Sequence, residues 1–396
     1  MCGAFLLIGF NLYTDARIQQ YVHTIAPLGL AQSNVGLAWQ QSALQSPDLL
    51  LVYGSSELDH QAYEGGFHGS HFFAAYPSGF TIFPIGSVGN TCLVMAQNIA
   101  ALGAQVDGKK LVISFSPPWF IRPGAEQIRQ DQYAGNFSRL HAYAFVFASN
   151  LSWELKQQIA ARMLTYPATY AQDPLLEWGL RLLAENSIVS RGLYTLTVPL
   201  GQANLFVLLE QDRFETVRAV WEHPEWNSAV PRHPTVIQWD TVLQEASEDA
   251  VANAGNNPYG IYNPLWTARG GRFMAPNARR TDKEFIKTVR KAPDWQDCDL
   301  LLRAVSELHA KPLVLSQPMK GAYLKAIGVS YNARREFYLE QRQLLERYHV
   351  PFVDFADRDD DLFFVVDPFS HLSAKGWAYY DQALDAFYHD RLPLQP

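Results

Sequence analysis

Residues 49–58 read LLLVYGSSEL, and the fold turns on how those ten residues are read. Five apolar residues, Leu49 to Tyr53, run without a break into Gly54-Ser55-Ser56. A strand with one wet face would alternate. A continuous apolar run stopped by glycine fits a strand covered on both faces of a parallel sheet. From Glu57 onward the chain can open a helix, with small residues at the turn and an acid in the first turn. A serine at such a junction stands at the carboxyl edge of the sheet, where open α/β folds bind their ligands. Ser56 is therefore a candidate nucleophile. The plainer alternative is a Gly-Ser turn that caps a helix.

The same grammar recurs along the chain. Residues 80–85 (FTIFPI) and 110–115 (KLVISF) read as strands, each ending in small or special residues: Gly86-Ser87-Val88-Gly89-Asn90 and Ser116-Pro117-Pro118-Trp119-Phe120. A helical pattern over 91–102 lies between them. After residue 280 the alternation returns. Helices are expected at 300–309, 331–348 and 373–388, and strands at 312–316 and 351–355, with an apolar run at 362–366. This is the pattern of an α/β protein with a three-layer, doubly wound parallel sheet. Residues 150–280 break it. Helices are expected at 151–166 and from Asp173-Pro174 to 184, whereas 187–280 show mixed, Pro- and Asn-rich sequence without strand alternation. The expected organisation is an N-terminal segment (1–48), an α/β catalytic domain (49–149 and 281–396), and a largely helical insertion (150–280).

Composition narrows the function. With 396 residues and 48% apolar content, a full core is available, and a net charge of -7 without basic clusters argues against nucleic-acid binding. Three cysteines (Cys2, Cys92, Cys298) without a CxxC pair indicate no zinc site and leave one disulfide open. No metal or other cofactor is indicated. Residues 2–10 (CGAFLLIGF) are apolar but far shorter than the roughly 20 residues a bilayer span needs. They read either as a short buried segment or as the tail of an anchor.

A serine hydroxyl needs a base, and the base needs a carboxylate to hold its tautomer. Asp367 and His371 supply that pair within one loop near the end of the chain. The G-x-S-x-G elbow is absent, because Leu58 stands where its second glycine would be. The alternative for His371 is a loop histidine capping the last helix. His60, His68 and His71 lie near the serine loop, but FHGSHFF reads as loop rather than as a metal-binding helix. The run Asp357-Arg358-Asp359-Asp360-Asp361 reads as a solvated turn.

Taken together, four blocks resemble the DltD family, the D-alanyl-lipoteichoic acid biosynthesis proteins of the SGNH (GDSL-like) hydrolase class. They are Gly54 to Leu58 (GSSEL), Ser116 to Phe120 (SPPWF, similar to the family's SPQWF), Gln317 to Tyr323 (QPMKGAY) and Asp367 to Trp377 (DPFSHLSAKGW). The resemblance implies a flavodoxin-like sheet with Ser56 as nucleophile, Ser55 as its fallback, His371 as base and Asp367 as orienter. It implies an oxyanion hole from the Ser56 and Gly89 backbones, or Gly86 failing Gly89, and a pocket edged by Ser55, Glu57, Gly86 and Trp119. Two departures stand out. Asp367 lies four residues before His371 where the family has three, which brings Asp360 and Asp361 into question as substitutes, and Pro118 replaces the glutamine of SPQWF.

The implied function is a serine-dependent acyltransferase or (thio)esterase in D-alanylation of a teichoic-acid-type polymer. The implied partners are a D-alanyl carrier protein or a membrane-bound acyltransferase and the anionic polymer itself. The implied place is the outer side of a bacterial membrane, held by an N-terminal anchor that is missing or truncated here. The alternatives are an SGNH polysaccharide O-acetyltransferase or deacetylase, and a non-catalytic docking module for an acyl carrier protein.

Overall fold

The computed structural model describes residues 2–29, 34–59, 66–122, 126–185, 187–223, 226, 234–369 and 371–393. His60 lies outside them. Five parallel strands form one sheet: β1 (Leu49–Tyr53), β2 (Thr81–Ile85), β3 (Lys110–Phe115), β4 (Lys311–Ser316) and β5 (Phe352–Val353). Their order is β2-β1-β3-β4-β5, the flavodoxin-like arrangement, which reverses direction between β1 and β3. The expected α/β class is therefore observed. Pro84 is tolerated within β2 because that strand is an edge and pairs only with β1.

The unbroken apolar run of β1 splits its side chains between two cores. Leu49, Leu51 and Tyr53 face one and Leu50 and Val52 the other, as period-2 geometry requires. The first core is covered by helices Cys92–Leu102, Arg139–Ala148 and Asp294–Glu307, and the second by Ala374–Tyr388, Gly69–Ala75 and Trp239–Ala254. The sheet is thus sandwiched. Cys92 and Cys298 form a disulfide that joins two of the helices on the first face.

One expectation needs correction. Among the described residues no α-helix opens at Glu57, which instead sits in a single 3-10 turn, Ser56–Leu58. The apolar run at 362–366 makes one bridge, Val365 to Leu372. The stretch read as mixed, within the largely helical insertion, contains helices Ile188–Glu222, Trp239–Ala254 and Asn263–Phe273. The first of these is 35 residues long, and Pro199, Gly192 and Gly201 inside it disguise it in the sequence. It also exposes Leu193, Leu196, Leu200 and Phe206, so its apolar residues follow no single stripe. Among the described residues it is the one helix long and apolar enough to cross a membrane. Residues 2–10 open helix Cys2–Ile25, whose later turns bury Ile18, Val22 and Ile25 and which packs against the long helix.

Candidate active site

The loops after β1, β2 and β3 each deliver one wall of a cavity of about 370 Å3 at the carboxyl edge of the sheet. The β1 loop brings Ser55 and Ser56, the β2 loop Val88 and Gly89, and the β3 loop Ser116, Pro118 and Trp119. The loop before the last helix adds Asp367, Phe369 and His371. The cavity sits at the β1/β3 reversal, where strand order opens a crevice in this topology.

Ser56 Oγ lies 2.7 Å from His371 Nε2, although 315 residues separate them. On the other side of the ring, Nδ1 lies 2.5 Å from Asp367 Oδ2. The four-residue spacing still brings the Asp367 carboxylate to the ring. Asp367 Oδ1 accepts the backbone N–H groups of Phe369 (2.8 Å) and His371 (3.2 Å), an Asx-type turn that folds the loop back on its own carboxylate. Asp367 is 1% exposed. The two substitutes face elsewhere: Asp360 pairs with Arg334 and Asp361 with Lys375. Burial opposes charge on His371. The adjacent Asp367, with Glu57 and Asp59 further off, outweighs it and raises the imidazole above its ordinary value.

The remaining expected residues divide. Ser55 turns its hydroxyl to the Ser87 carbonyl at 3.4 Å, not to His371. Gly89 adopts a left-handed φ of 79°, and a Cβ there would meet Gln132 Cγ at 2.6 Å, so only glycine fits the wall. Trp119 lines the cavity. Gly86 and Glu57 do not. A Cβ on Gly86 would lie 2.8 Å from the Gly54 carbonyl, so this glycine packs the β2 loop against the β1 loop. Glu57 is buried behind the serine, where its Oε1 accepts the Ser55 N–H at 3.0 Å and holds the turn. Asn90 ties the same turn from the other side, donating to the Gly54 carbonyl at 2.7 Å.

A buried cation fixes the histidine loop. Lys320, in the loop after β4, donates from Nζ to the carbonyls of Gly260 (2.6 Å), Leu362 (2.5 Å) and Val365. Gly260 approaches so closely that a Cβ there would lie 1.9 Å from the Leu362 carbonyl oxygen. Burial pushes the Lys320 amine down to about 7, against the pull of Asp367 and Asp361. Three carbonyl acceptors match the three donors of an ammonium group.

The sequence reading missed Arg122, Arg129, Gln132, Leu265, Arg269 and Asp294 on the cavity wall. Arg122 alone carried a local signal, three residues past Trp119. The others come from three helices far apart in the sequence, from Arg129 to Asp294, where nothing marks them as neighbours. Arg129 pairs with the buried Asp294 at 3.0 Å, whose carboxyl burial raises to about 6. His68 caps helix Gly69–Ala75 through Nδ1 and packs on Trp377, and no cluster of three metal-ligating residues occurs among the described residues.

The chain has several relatives. Protein DltD of Bacillus subtilis (strain 168) is 25% identical over 382 residues, which cover 96% of this chain and 91% of its own. Protein DltD of Staphylococcus aureus (strain NCTC 8325 / PS 47) is 23% identical over the same shares of each chain. That of Lacticaseibacillus rhamnosus is 24% identical over 335 residues, covering 84% and 76%. A family model described as DltD protein matches residues 30–389, through every strand and every loop of the cavity, and the chain therefore belongs to the DltD family.

Proposed function

We propose that the protein is a serine-dependent acyltransferase or (thio)esterase of the SGNH type, with Ser56 as nucleophile, His371 as base and Asp367 as its orienter. The family works in D-alanylation of teichoic acids, and a role in cell-envelope D-alanylation fits this chain. The observation that carries the chemistry is the unbroken hydrogen-bond line from Ser56 through His371 to the buried Asp367, opening on a cavity.

In the first step Ser56 Oγ attacks the carbonyl of an activated D-alanyl donor while its proton passes to His371 Nε2. The donor's leaving group takes that proton and departs, leaving an ester on Ser56. An acceptor hydroxyl then gives its proton to His371 and attacks the ester carbonyl. Ser56 leaves and recovers its proton. Each tetrahedral oxyanion is held by the backbone N–H groups of Ser56 and Gly89. Asp367 stabilises the transient imidazolium.

The donor is delivered by a carrier protein or a membrane-bound acyltransferase, the acceptor is an anionic envelope polymer, and the catalytic domain lies on the outer side of the membrane. The Cys92–Cys298 disulfide suits that oxidising location. A fluorescent alkyl phosphonate tests the chemistry. The parent chain is labelled, Ser56→Ala is not, and Ser55→Ala still is. Labelling that survives in Ser56→Ala rejects the assignment.

A further inference from the structure

A second, larger groove of about 870 Å3 adjoins the Ser56 cavity. Six basic side chains line it, Arg122, Arg129, Arg279, Arg280, Lys287 and Lys291, against one carboxylate, Glu284, among its described residues. The protein as a whole carries a net charge of -7, so this concentration of cations runs against its average. Glu284 is also engaged. Its Oε2 accepts the backbone N–H (2.9 Å) and hydroxyl (2.8 Å) of Thr281 in a capping box at the start of helix Asp282–Arg290.

The groove leads to the nucleophile. Pro118, Arg122, Arg129 and Phe369 line both spaces. Arg122 lies over the Phe369 ring at 5.6 Å, two residues from both Asp367 and His371. Burial lowers the pKa of Arg122, and that of Arg280 against the pull of Glu284, as half-desolvated cations should show. Arg280 is held at the floor by its bond to the Ile121 carbonyl (2.7 Å), whereas Arg279, Lys287 and Lys291 are exposed along the rim. Between the charges lie Ala278, Tyr323, Leu324 and Ile327, with Asn277 and Thr288.

We propose that this groove is the acceptor subsite. It holds the phosphodiester backbone of a polyol-phosphate chain, with successive phosphates against Lys287, Lys291 and Arg279, then Arg122, so that a hydroxyl between phosphates reaches Ser56. A narrow chain with one charge per unit can follow the groove into a cavity of about 370 Å3. A folded acidic protein cannot. The inference rests on the acyl-transfer reading above and adds to it which residues hold the acceptor.

The test is fluorescence anisotropy of a labelled glycerol-phosphate oligomer with the full chain over a salt series. Binding weakens steeply with salt, because each phosphate neutralised releases a counterion. Arg279→Gln/Lys287→Gln/Lys291→Gln binds at least about tenfold more weakly with a flatter salt slope. The charge-conserving Arg279→Lys/Lys287→Arg/Lys291→Arg stays near the parent. Failure of the parent to bind at low salt overturns the proposal, as does a glutamine variant within twofold of it. So does equal competition by an uncharged polyol of the same length. Phosphonate labelling of the same parent sample separates the two readings: labelled but non-binding protein overturns the groove alone, and binding but unlabelled protein supports the groove and overturns the acyl-transfer reading.

Discussion

In the proposed reaction His371 is the side chain that decides activity, and its environment sets a pH dependence with a definite sign. Asp367 and the other nearby carboxylates favour the imidazolium, but the base must be neutral to accept the Ser56 proton. Phosphonate labelling should therefore rise with pH, with a midpoint above the ordinary imidazole value of about 6.5. Asp367→Asn should move that midpoint down and slow labelling by roughly three to four orders of magnitude, as loss of the orienting carboxylate does in serine triads. Stability runs the other way. A raised folded-state pKa adds stability that is complete below the unfolded value and fades as pH climbs through the folded one. The active protonation state is thus the less stable one. Lys320 makes a second residue-scale prediction. Lys320→Met fits by size but strips the donor from three carbonyls, at about 1–3 kcal/mol for each buried group left unpaired. Both the melting temperature and the labelling rate should fall, because the freed 362–366 segment leads directly into Asp367.

At the scale of elements, the insertion is locked to the sheet by an aromatic wedge. Phe147, at the end of helix Arg139–Ala148, is nearly enclosed between Gly179 and Gly201 of two insertion helices. A Cβ on Gly201 would lie 2.2 Å from the Phe147 ring. Gly201→Val should therefore overpack the contact and destabilise by about 1–3 kcal/mol, measured by chemical denaturation. Adding Phe147→Leu to the same chain should recover part of the loss. If Phe147→Leu relieves nothing, the wedge is not the source of the strain. The same element explains why helix Ile188–Glu222 was hidden in the sequence. A glycine two residues after a proline reads as a break, yet here Gly201 is needed for close approach and Pro199 is accommodated within the helix. The expected helix after Glu57 failed for a different reason. Glu57 turns back to hold the Ser55 N–H and so serves the turn.

Across the whole molecule, the Cys92–Cys298 bond closes the longest-range covalent link, spanning 206 residues and enclosing the entire insertion. By loop-closure entropy such a bridge stabilises by about 5 kcal/mol. Cys92→Ala/Cys298→Ala should lose much of that, and guanidinium denaturation with and without reductant measures it. An unchanged midpoint would mean the bond is not formed in solution.

What the sequence determined by itself was whatever local pattern encodes. Unbroken apolar runs ended by small residues marked β1, β3 and β4, because a strand buried on both faces leaves no room for alternation. The loops after those strands marked the edge where the site would lie. Asp367 and His371 were legible as candidates, since both lie in one loop before the last helix. Tertiary structure alone decided the rest. Which serine meets the histidine depends on how a single turn after β1 is held, with Ser55 drawn to Ser87 and Ser56 to His371. That Asp367, and not Asp360 or Asp361, faces the ring depends on an Asx turn and on partners contributed by other helices. The basic groove is the extreme case. Its cations are ordinary surface residues in every local window, and only the packing of helix Asp282–Arg290 against the β3 loop makes them neighbours, because charge acts through space and not along the chain.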